Sequence, residues 1–252
     1  MLSGVLQSAK KKIRKVQHEM DIYRLRKATV DLGNVSSVHL SLDDVHQVFI
    51  DAQRLHPDSL FDLPLLSELK RLNELYGAKF TLYCFEDSAY RLSEECFAEI
   101  KANENWLQVG YHAGIDGNVT VESYQRFRSY FSEQKIKLAS SSRLHYFDCP
   151  EELKGVLSAD GVRRLFCSDE GRDSYGLAGK IYGEGYSAGG ITYLPTDIRL
   201  EHYVTKILNN SRLCEKEELT IFGHEIPFMN YREFEKLEAI IHMLPTTVEY
   251  EL

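Results

Sequence analysis

The segment "VSSVHLSLDDVHQVF", residues 35–49, decides the fold, because an alternating strand pattern in it ends at two adjacent aspartates. The apolar residues of the alternating pattern are Val38, Leu40 and Leu42. The polar residues that alternate with them are Ser37, His39, Ser41 and Asp43. This period of two is that of a β-strand with one apolar and one polar face. Asp43 and Asp44 then either cap the element that follows or place two functional carboxylates where the strand ends.

The composition is that of a globular protein. Of the 252 residues, 43% are hydrophobic and 27% are charged, which is ordinary for such a chain. The formal net charge of −8 argues against a nucleic-acid partner, because phosphate binding needs a broad basic face. No Pro-rich or Ser-rich linker divides the chain, so we expect a single domain.

Residues 1–34 are predicted to form an N-terminal helical arm ahead of a main domain at 35–252. The arm contains the basic cluster "KKKIRK" at 10–15. Ile13, Val16, Met20 and Tyr23 fall at helical spacing, which predicts an amphipathic helix packed on the domain with a basic outer face. A role at a membrane surface is the alternative. Residues 1–5 are too short and too weakly apolar for a signal-peptide core, and we expect no transmembrane segment.

The cysteines indicate the compartment. They are Cys84, Cys96, Cys149, Cys167 and Cys214. They form no CxxC pair, and their odd number leaves one over in any disulfide scheme. We therefore predict a reducing, cytoplasmic location.

Strand-like and helix-like patterns alternate along the chain. Strands are predicted at 36–43, 79–85, 106–111, 136–140, 162–168, 190–195 and 219–223. Helical patterns lie between them, among them "TDIRLEHYVTKILNN" at 196–210. Alternation of this kind implies parallel pairing, because parallel neighbours need a crossover that is usually a helix. Seven such units predict an α/β fold of the distorted (β/α)7 barrel type, with an open doubly wound sheet as the alternative.

Polar side chains follow several of these strands. They are Asp43 and Asp44 after the first strand, His112 and Asp116 after the third, Arg143 and His145 after the fourth, and His224 after the seventh. In a parallel barrel the active site lies where the strands end. Each residue has a structural explanation of its own, but their recurrence at one rim predicts a functional site.

In order along residues 35–245, these segments resemble the motifs of the NodB-like polysaccharide deacetylases, which are metal-dependent carbohydrate esterases. "LSLDDV" resembles the first motif of the family and "WLQVGYHAGID" its histidine segment. "SSRLHYF" is similar to its arginine motif and "LTIFGHE" to its last motif. The resemblance implies a distorted seven-stranded (β/α) barrel, an acetylated carbohydrate as substrate, and a divalent metal. Zinc is expected first, with manganese or magnesium as alternatives.

The resemblance also implies three catalytic roles. Asp43 would be the base that takes a proton from water. Arg143 would orient Asp43 and favour its anionic form. His224 would be the general acid that protonates the departing amine.

The implied metal ligands are Asp44, His112 and Asp116. Asp116 stands where the family usually has a second histidine, four residues after the first, and a carboxylate is an acceptable substitute. His46 and His145 are either substitute ligands or residues with local hydrogen bonds.

Substrate contacts are predicted from the glycine-rich segment 168–190. Tyr175, Tyr182 and Tyr186 would stack on sugar rings or anchor the loop. Asp197, after the next strand, would contact sugar hydroxyls or cap a helix.

The sequence thus predicts a metal-dependent hydrolase that removes acetyl groups from an N- or O-acetylated carbohydrate. One alternative is a catalytically silent carbohydrate-binding protein on the same barrel. The other is a glycoside hydrolase, for which Asp43 and Asp116 would supply the two carboxylates.

Overall fold

The predicted strands form the framework of the fold in the computed structural model, which describes residues 16–28, 30–87, 89–169, 173–177, 185–202, 204–231 and 233–252. The strands are β1 Ser37–Val45, β2 Phe80–Glu86, β3 Leu107–Gly114, β4 Ser141–Ser142, β5 Arg164–Phe166, β6 Tyr186–Ala188, β7 Ile191–Leu194, β8 Ile198–Arg199, β9 Glu218–His224 and β10 Glu249–Glu251. The predictions made for "KKKIRK", Ile13 and Tyr182 lie outside the described residues.

Helices connect the parallel strands. They are α1 at residues 16–27, α2 Gln47–Leu55, α3 Pro64–Tyr76, α4 Glu94–Ala102, α5 Val121–Glu133, α6 Glu151–Ala159, α7 Val204–Leu208, α8 Glu225–Tyr231 and α9 Glu233–Ile241. Short 3-10 turns occur at Leu60–Asp62, His145–Phe147 and Ser211–Glu215. The fold is a mixed α/β single domain, as the alternating pattern predicted.

The strands form two sheets, with parallel pairing throughout except at β6. The first has the order β3-β2-β1-β9-β8, with β10 also paired to β1, and the second has the order β4-β5-β7-β6. A parallel bridge between Val109 and Leu138 connects β3 with the segment ahead of β4. Among the described residues, the ladders do not join these sheets into a closed barrel, so the predicted (β/α)7 closure stays a prediction.

The polar face of β1 packs against the second sheet. Nε2 of His39 lies 3.1 Å from the Tyr83 hydroxyl, and the His39 ring stacks on Phe166 of β5 with centroids 4.3 Å apart. The apolar face of β1 belongs to the buried core. The alternation in the sequence therefore separates a polar interior between the sheets from the hydrophobic core.

Helix α1 is oriented differently from the prediction. Val16, Met20 and Tyr23 were expected to pack on the domain, but they are exposed. Ile22 and Leu25 are buried instead, because they lie on the opposite side of the helix. No described helix is long and apolar enough to cross a membrane.

Candidate functional site

The two aspartates lie at an irregularity near the end of β1. The register between β1 and β2 shifts between Leu42 and Val45, and Asp44 has a left-handed φ of 58°. In a regular strand, adjacent side chains point to opposite faces, whereas a bulge redirects one of them. Asp is among the few residues that tolerate the left-handed region. The local backbone therefore lets both carboxylates reach one site.

Three potential metal ligands converge beside this irregularity. Oδ1 of Asp44 lies 3.0 Å from Nε2 of His112 and 3.5 Å from Nδ1 of His145. The two imidazole nitrogens are 3.1 Å apart. Phe85 packs edge-on against both rings, with centroids 5.2 and 5.4 Å away. These residues are the group of His and Asp side chains in the described part of the chain that could hold a metal ion.

The chemistry of this group fits a divalent cation. Nδ1 of His112 donates to the backbone carbonyl of Arg143, which leaves the lone pair of Nε2 directed at Asp44 and His145. Facing lone pairs repel one another unless a cation lies between them. Atoms bound at about 2.0–2.1 Å to a tetrahedral ion are about 3.3 Å apart. The observed separations match that spacing.

Asp116, the predicted third ligand, does not join this group. Its side chain is exposed, and its two oxygens accept hydrogen bonds from the backbone and side-chain nitrogens of Asn118, at 3.0 and 2.7 Å. It closes a local turn, a common use of Asp. The potential ligands that the structure brings together are Asp44, His112 and His145, without Asp116.

Asp43 and Arg143 form a buried ion pair, with Nε of Arg143 3.3 Å from Oδ2 of Asp43. The guanidinium lies 4.0 Å from the ring centroid of Phe222 and 5.3 Å from that of Phe166. Nη1 donates to the hydroxyl of Thr196. Oδ1 of Asp43 is buried and has no hydrogen-bond partner among the described residues. One carboxylate oxygen is thus fixed by the arginine and the other is free to accept a proton.

The two adjacent aspartates have opposite pKa shifts. Burial raises the pKa of Asp43 above its usual value, and Arg143 and His112 offset only part of that effect. Burial also acts to raise the pKa of Asp44, but the close imidazoles of His112 and His145 outweigh it and hold that pKa well below the usual range. Asp44 is therefore the more permanent anion, which suits a ligand, and Asp43 the more basic carboxylate.

His224 lies beside Asp43, because the two residues are partners in the β1–β9 ladder. Nε2 of His224 is 4.0 Å from Oδ2 of Asp44. Its Nδ1 is 3.3 Å from Oε1 of Glu201, and Arg199 holds the other oxygen of Glu201 at 3.0 Å. The sequence analysis missed Glu201. The sequence feature that could have identified Glu201 is an acidic residue just after β8, four residues beyond the predicted Asp197.

Glu225, the residue after His224, connects the end of β9 with the start of α2. Its fully buried carboxylate accepts backbone N–H bonds from His46 at 3.0 Å, Gln47 at 2.8 Å and Val48 at 2.6 Å. Helix α2 has no side-chain cap from its own N-cap residue. Glu225 therefore supplies the missing cap from another element. Because α2 begins three residues after Asp44, this contact fixes His224 relative to the two aspartates.

Two predicted substrate contacts are wrong. Tyr175 is buried, and its hydroxyl donates to the Phe166 carbonyl at 2.7 Å and accepts from the Leu144 N–H at 3.2 Å. Asp197 is bound to Thr220 and lies 3.0 Å from Lys216. Thr220 precedes His224 by four residues of β9, about 13 Å along a strand, so Asp197 lies away from the rim.

Tyr186 stays a prediction. It lies on the edge strand β6, partly exposed, with its ring centroid 6.3 Å from that of Tyr193.

The turn that carries His145 also exposes an aromatic ring. Tyr146 and Phe147 have left-handed φ values of 55° and 56°, each of which costs on the order of 1–3 kcal/mol for such residues. The Tyr175 N–H donates to the Phe147 carbonyl at 2.7 Å and helps to hold the turn. The Tyr146 ring is 79% exposed and lies 4.0 Å from the His145 ring between centroids. Sequence reasoning missed this residue.

No family model and no curated protein matches the chain. Among solved structures, it is similar to a 4-alpha-glucanotransferase from Thermococcus litoralis, with TM-score 0.49 and 9% identity. That match covers 86% of this chain but only 38% of the other, so the chain spans well under half of that protein.

Two deacetylase-type structures are also similar. One is a peptidoglycan N-acetylglucosamine deacetylase, with TM-score 0.45, 10% identity and 86% of each chain covered. The other is a family 4 carbohydrate esterase from Streptomyces lividans, with TM-score 0.42, 12% identity and 82% and 87% of the two chains covered. At these scores the similarities do not indicate a function for this chain.

Proposed function

We propose that the chain is a metal-dependent hydrolase that removes acetyl groups from a carbohydrate. The observation that carries this proposal is the convergence of Asp44, His112 and His145 beside the Asp43–Arg143 ion pair and His224. Three ligands with an adjacent base and acid are the parts that metal-assisted hydrolysis of an acyl group requires. These residues also come from the segments that resemble the deacetylase motifs, and they occur in the same order along the chain.

Asp44, His112 and His145 would hold the ion. Two nitrogens and one carboxylate oxygen suit zinc better than the oxygen-rich set expected with Asp116. A divalent ion at this position would polarise the acetyl carbonyl and acidify water.

The chain's own residues would move the protons. Asp43 accepts a proton on its free Oδ1, while Arg143 keeps the carboxylate oriented through Oδ2. His224 donates a proton to the leaving group, and Glu201 keeps its imidazole charged and aligned. An amine leaves poorly without a proton, so an acid supported in this way favours an N-acetyl substrate over an O-acetyl one.

The exposed ring of Tyr146 is proposed to contact the sugar. It lies beside a proposed ligand, and its strained turn holds it in a fixed position. An aromatic ring offers an apolar face to a pyranose at little cost in side-chain entropy. Tyr146 thereby takes the role that the sequence had suggested for Tyr175.

The proposal is tested by acetate release from N-acetylglucosamine oligosaccharides, with the purified protein loaded with zinc, stripped with a chelator and then reloaded. We expect release only with metal. A protein that binds both metal and sugar but releases no acetate would be the silent binder. The proposed compartment is the cytoplasm, which the five unpaired cysteines support.

A further inference from the structure

Helix α1 presents apolar side chains to solvent. Val16, Met20 and Tyr23, called here the outer stripe, are 56%, 50% and 65% exposed. At about 100° per residue, they lie within about 60° of one another around the helix. The buried Ile22 and Leu25 lie on the opposite side. One face of α1 therefore packs on the domain. The other face exposes apolar side chains to solvent.

Basic residues are concentrated in the sequence that contains and precedes α1. Eight of the chain's 30 Lys and Arg fall within the first 27 residues, namely Lys10, Lys11, Lys12, Arg14, Lys15, Arg24, Arg26 and Lys27. Only Glu19 and Asp21, of 38 acidic residues, fall there. The rest of the chain is strongly acidic. The first 27 residues therefore have a net positive charge, unlike the rest of the chain, and they include the outer stripe of α1.

We propose that α1 docks on a membrane surface rich in anionic phospholipid. The outer stripe would enter the headgroup boundary, and the basic residues would contact lipid phosphates. An interfacial helix has this combination of an apolar face, an aromatic residue and flanking Lys and Arg. A soluble polyanion would use the charges alone and would leave the stripe without a role. No described helix is long and apolar enough to cross a membrane, and the proposed contact is peripheral.

The test is co-sedimentation of the full chain with lipid vesicles. We expect binding to vesicles of phosphatidylcholine mixed with phosphatidylglycerol, weaker binding to phosphatidylcholine alone, and release by salt. Replacing Lys10, Lys11 and Lys12 by Gln should weaken binding by roughly a hundredfold, from about 1 kcal/mol per basic residue. In a Tyr23→Trp variant, the tryptophan emission should shift to shorter wavelength on addition of anionic vesicles.

The stripe is tested by Met20→Ser combined with Tyr23→Ser. The matched control is Leu55→Ser combined with Leu75→Ser, because these leucines of α2 and α3 are 57% and 59% exposed and lie outside α1. Loss of sedimentation in the first double variant, with retention in the second, supports the proposal.

Three outcomes overturn it. In the first, the wild-type chain does not sediment with anionic vesicles. In the second, both double variants lose binding equally. In the third, the chain self-associates through α1 in the absence of lipid, which would make a second copy the occupant of the stripe. Hydrolase activity is not needed for any of these readouts.

Discussion

Nδ1 of His224 lies 3.3 Å from Oε1 of Glu201, and the same oxygen accepts the backbone N–H of His224 at 2.6 Å. Burial by itself lowers the pKa of His224, but Glu201, Asp43 and Asp44 together raise it above its ordinary value. Burial also opposes ionisation of Glu201, yet His224 lowers its pKa. The geometry therefore favours a charged imidazolium beside a carboxylate, which is the state a general acid needs.

Loss of this acid should depend on the leaving group. His224→Ala should slow hydrolysis of N-acetyl sugars by roughly a hundredfold or more and slow hydrolysis of activated acetyl esters far less, because their leaving groups need no proton. Metal content should be unchanged. Equal losses on amide and ester substrates would show that His224 acts on binding or on the metal instead. Glu201→Gln should reproduce a milder form of the same difference.

Arg143 should support catalysis without holding the metal. The Arg143 side chain pairs with Asp43. The proposed ligand His112 instead binds the backbone carbonyl of Arg143. Arg143→Met keeps the apolar contact with Phe222 and removes the charge. We expect turnover to fall by at least about tenfold while bound metal, measured by elemental analysis, stays at the wild-type level. Parallel loss of turnover and metal would mean that the arginine supports the site as a whole.

Glu225 should affect both stability and turnover. Glu225→Gln weakens the cap on α2, and we expect a loss of about 1–2 kcal/mol in the free energy of unfolding. Because the same contact fixes His224 relative to Asp43, kcat should also fall.

Ser93→Ala is the matched control for Glu225, since Ser93 caps α4 through Cys96, outside the proposed site. The control should lose stability and keep kcat. If Glu225→Gln also keeps kcat, its cap is structural only.

Tyr146 should determine the KM of sugar substrates. Tyr146→Gly relieves the left-handed backbone and removes the ring, so we expect stability to hold while the KM for an acetylated oligosaccharide rises roughly three- to tenfold. Tyr146→Phe should keep the wild-type KM. Neither variant should change kcat/KM for 4-nitrophenyl acetate, which has no sugar. An unchanged KM in Tyr146→Gly would exclude the stacking role.

The main elements of the fold were predictable from local pattern. Six of the seven predicted strands form, because alternation and apolar runs reflect burial directly. The strand predicted at 136–140 is reduced to an isolated bridge at Leu138, and the paired strand lies just beyond it at Ser141–Ser142. Two other kinds of feature were not predicted by the local sequence pattern. The segment 196–210 was predicted as helix, yet Ile198 and Arg199 pair with Ile221 and Phe222 of β9, a tertiary contact that overrides local pattern. The exposed side of α1 depends on which of two apolar stripes meets the core, and spacing does not decide that.

The site was predictable only where the motif order identified residues on strand ends. Asp43, Asp44, His112 and His224 come together because β1, β3 and β9 belong to one parallel sheet and these residues lie toward the carboxyl ends of the strands. Asp116, the predicted third ligand, lies apart from this group for a local reason, because Asn118 two residues on binds its carboxylate. His145 was left open between ligand and local partner, and its position depends on the strained turn at Tyr146. Glu201 and Glu225 act through tertiary contacts that have no sequence spacing of their own.

The central claim is that Asp44, His112 and His145 hold a metal ion. Equilibrium zinc binding by the stripped wild-type protein and by His145→Ala and Asp116→Asn, with folding checked by circular dichroism, tests it most directly. We expect the wild type and Asp116→Asn to bind a single zinc ion with equal affinity, and His145→Ala to lose at least about a hundredfold in affinity. A wild type that binds no zinc, or a loss in Asp116→Asn with none in His145→Ala, would contradict the site described.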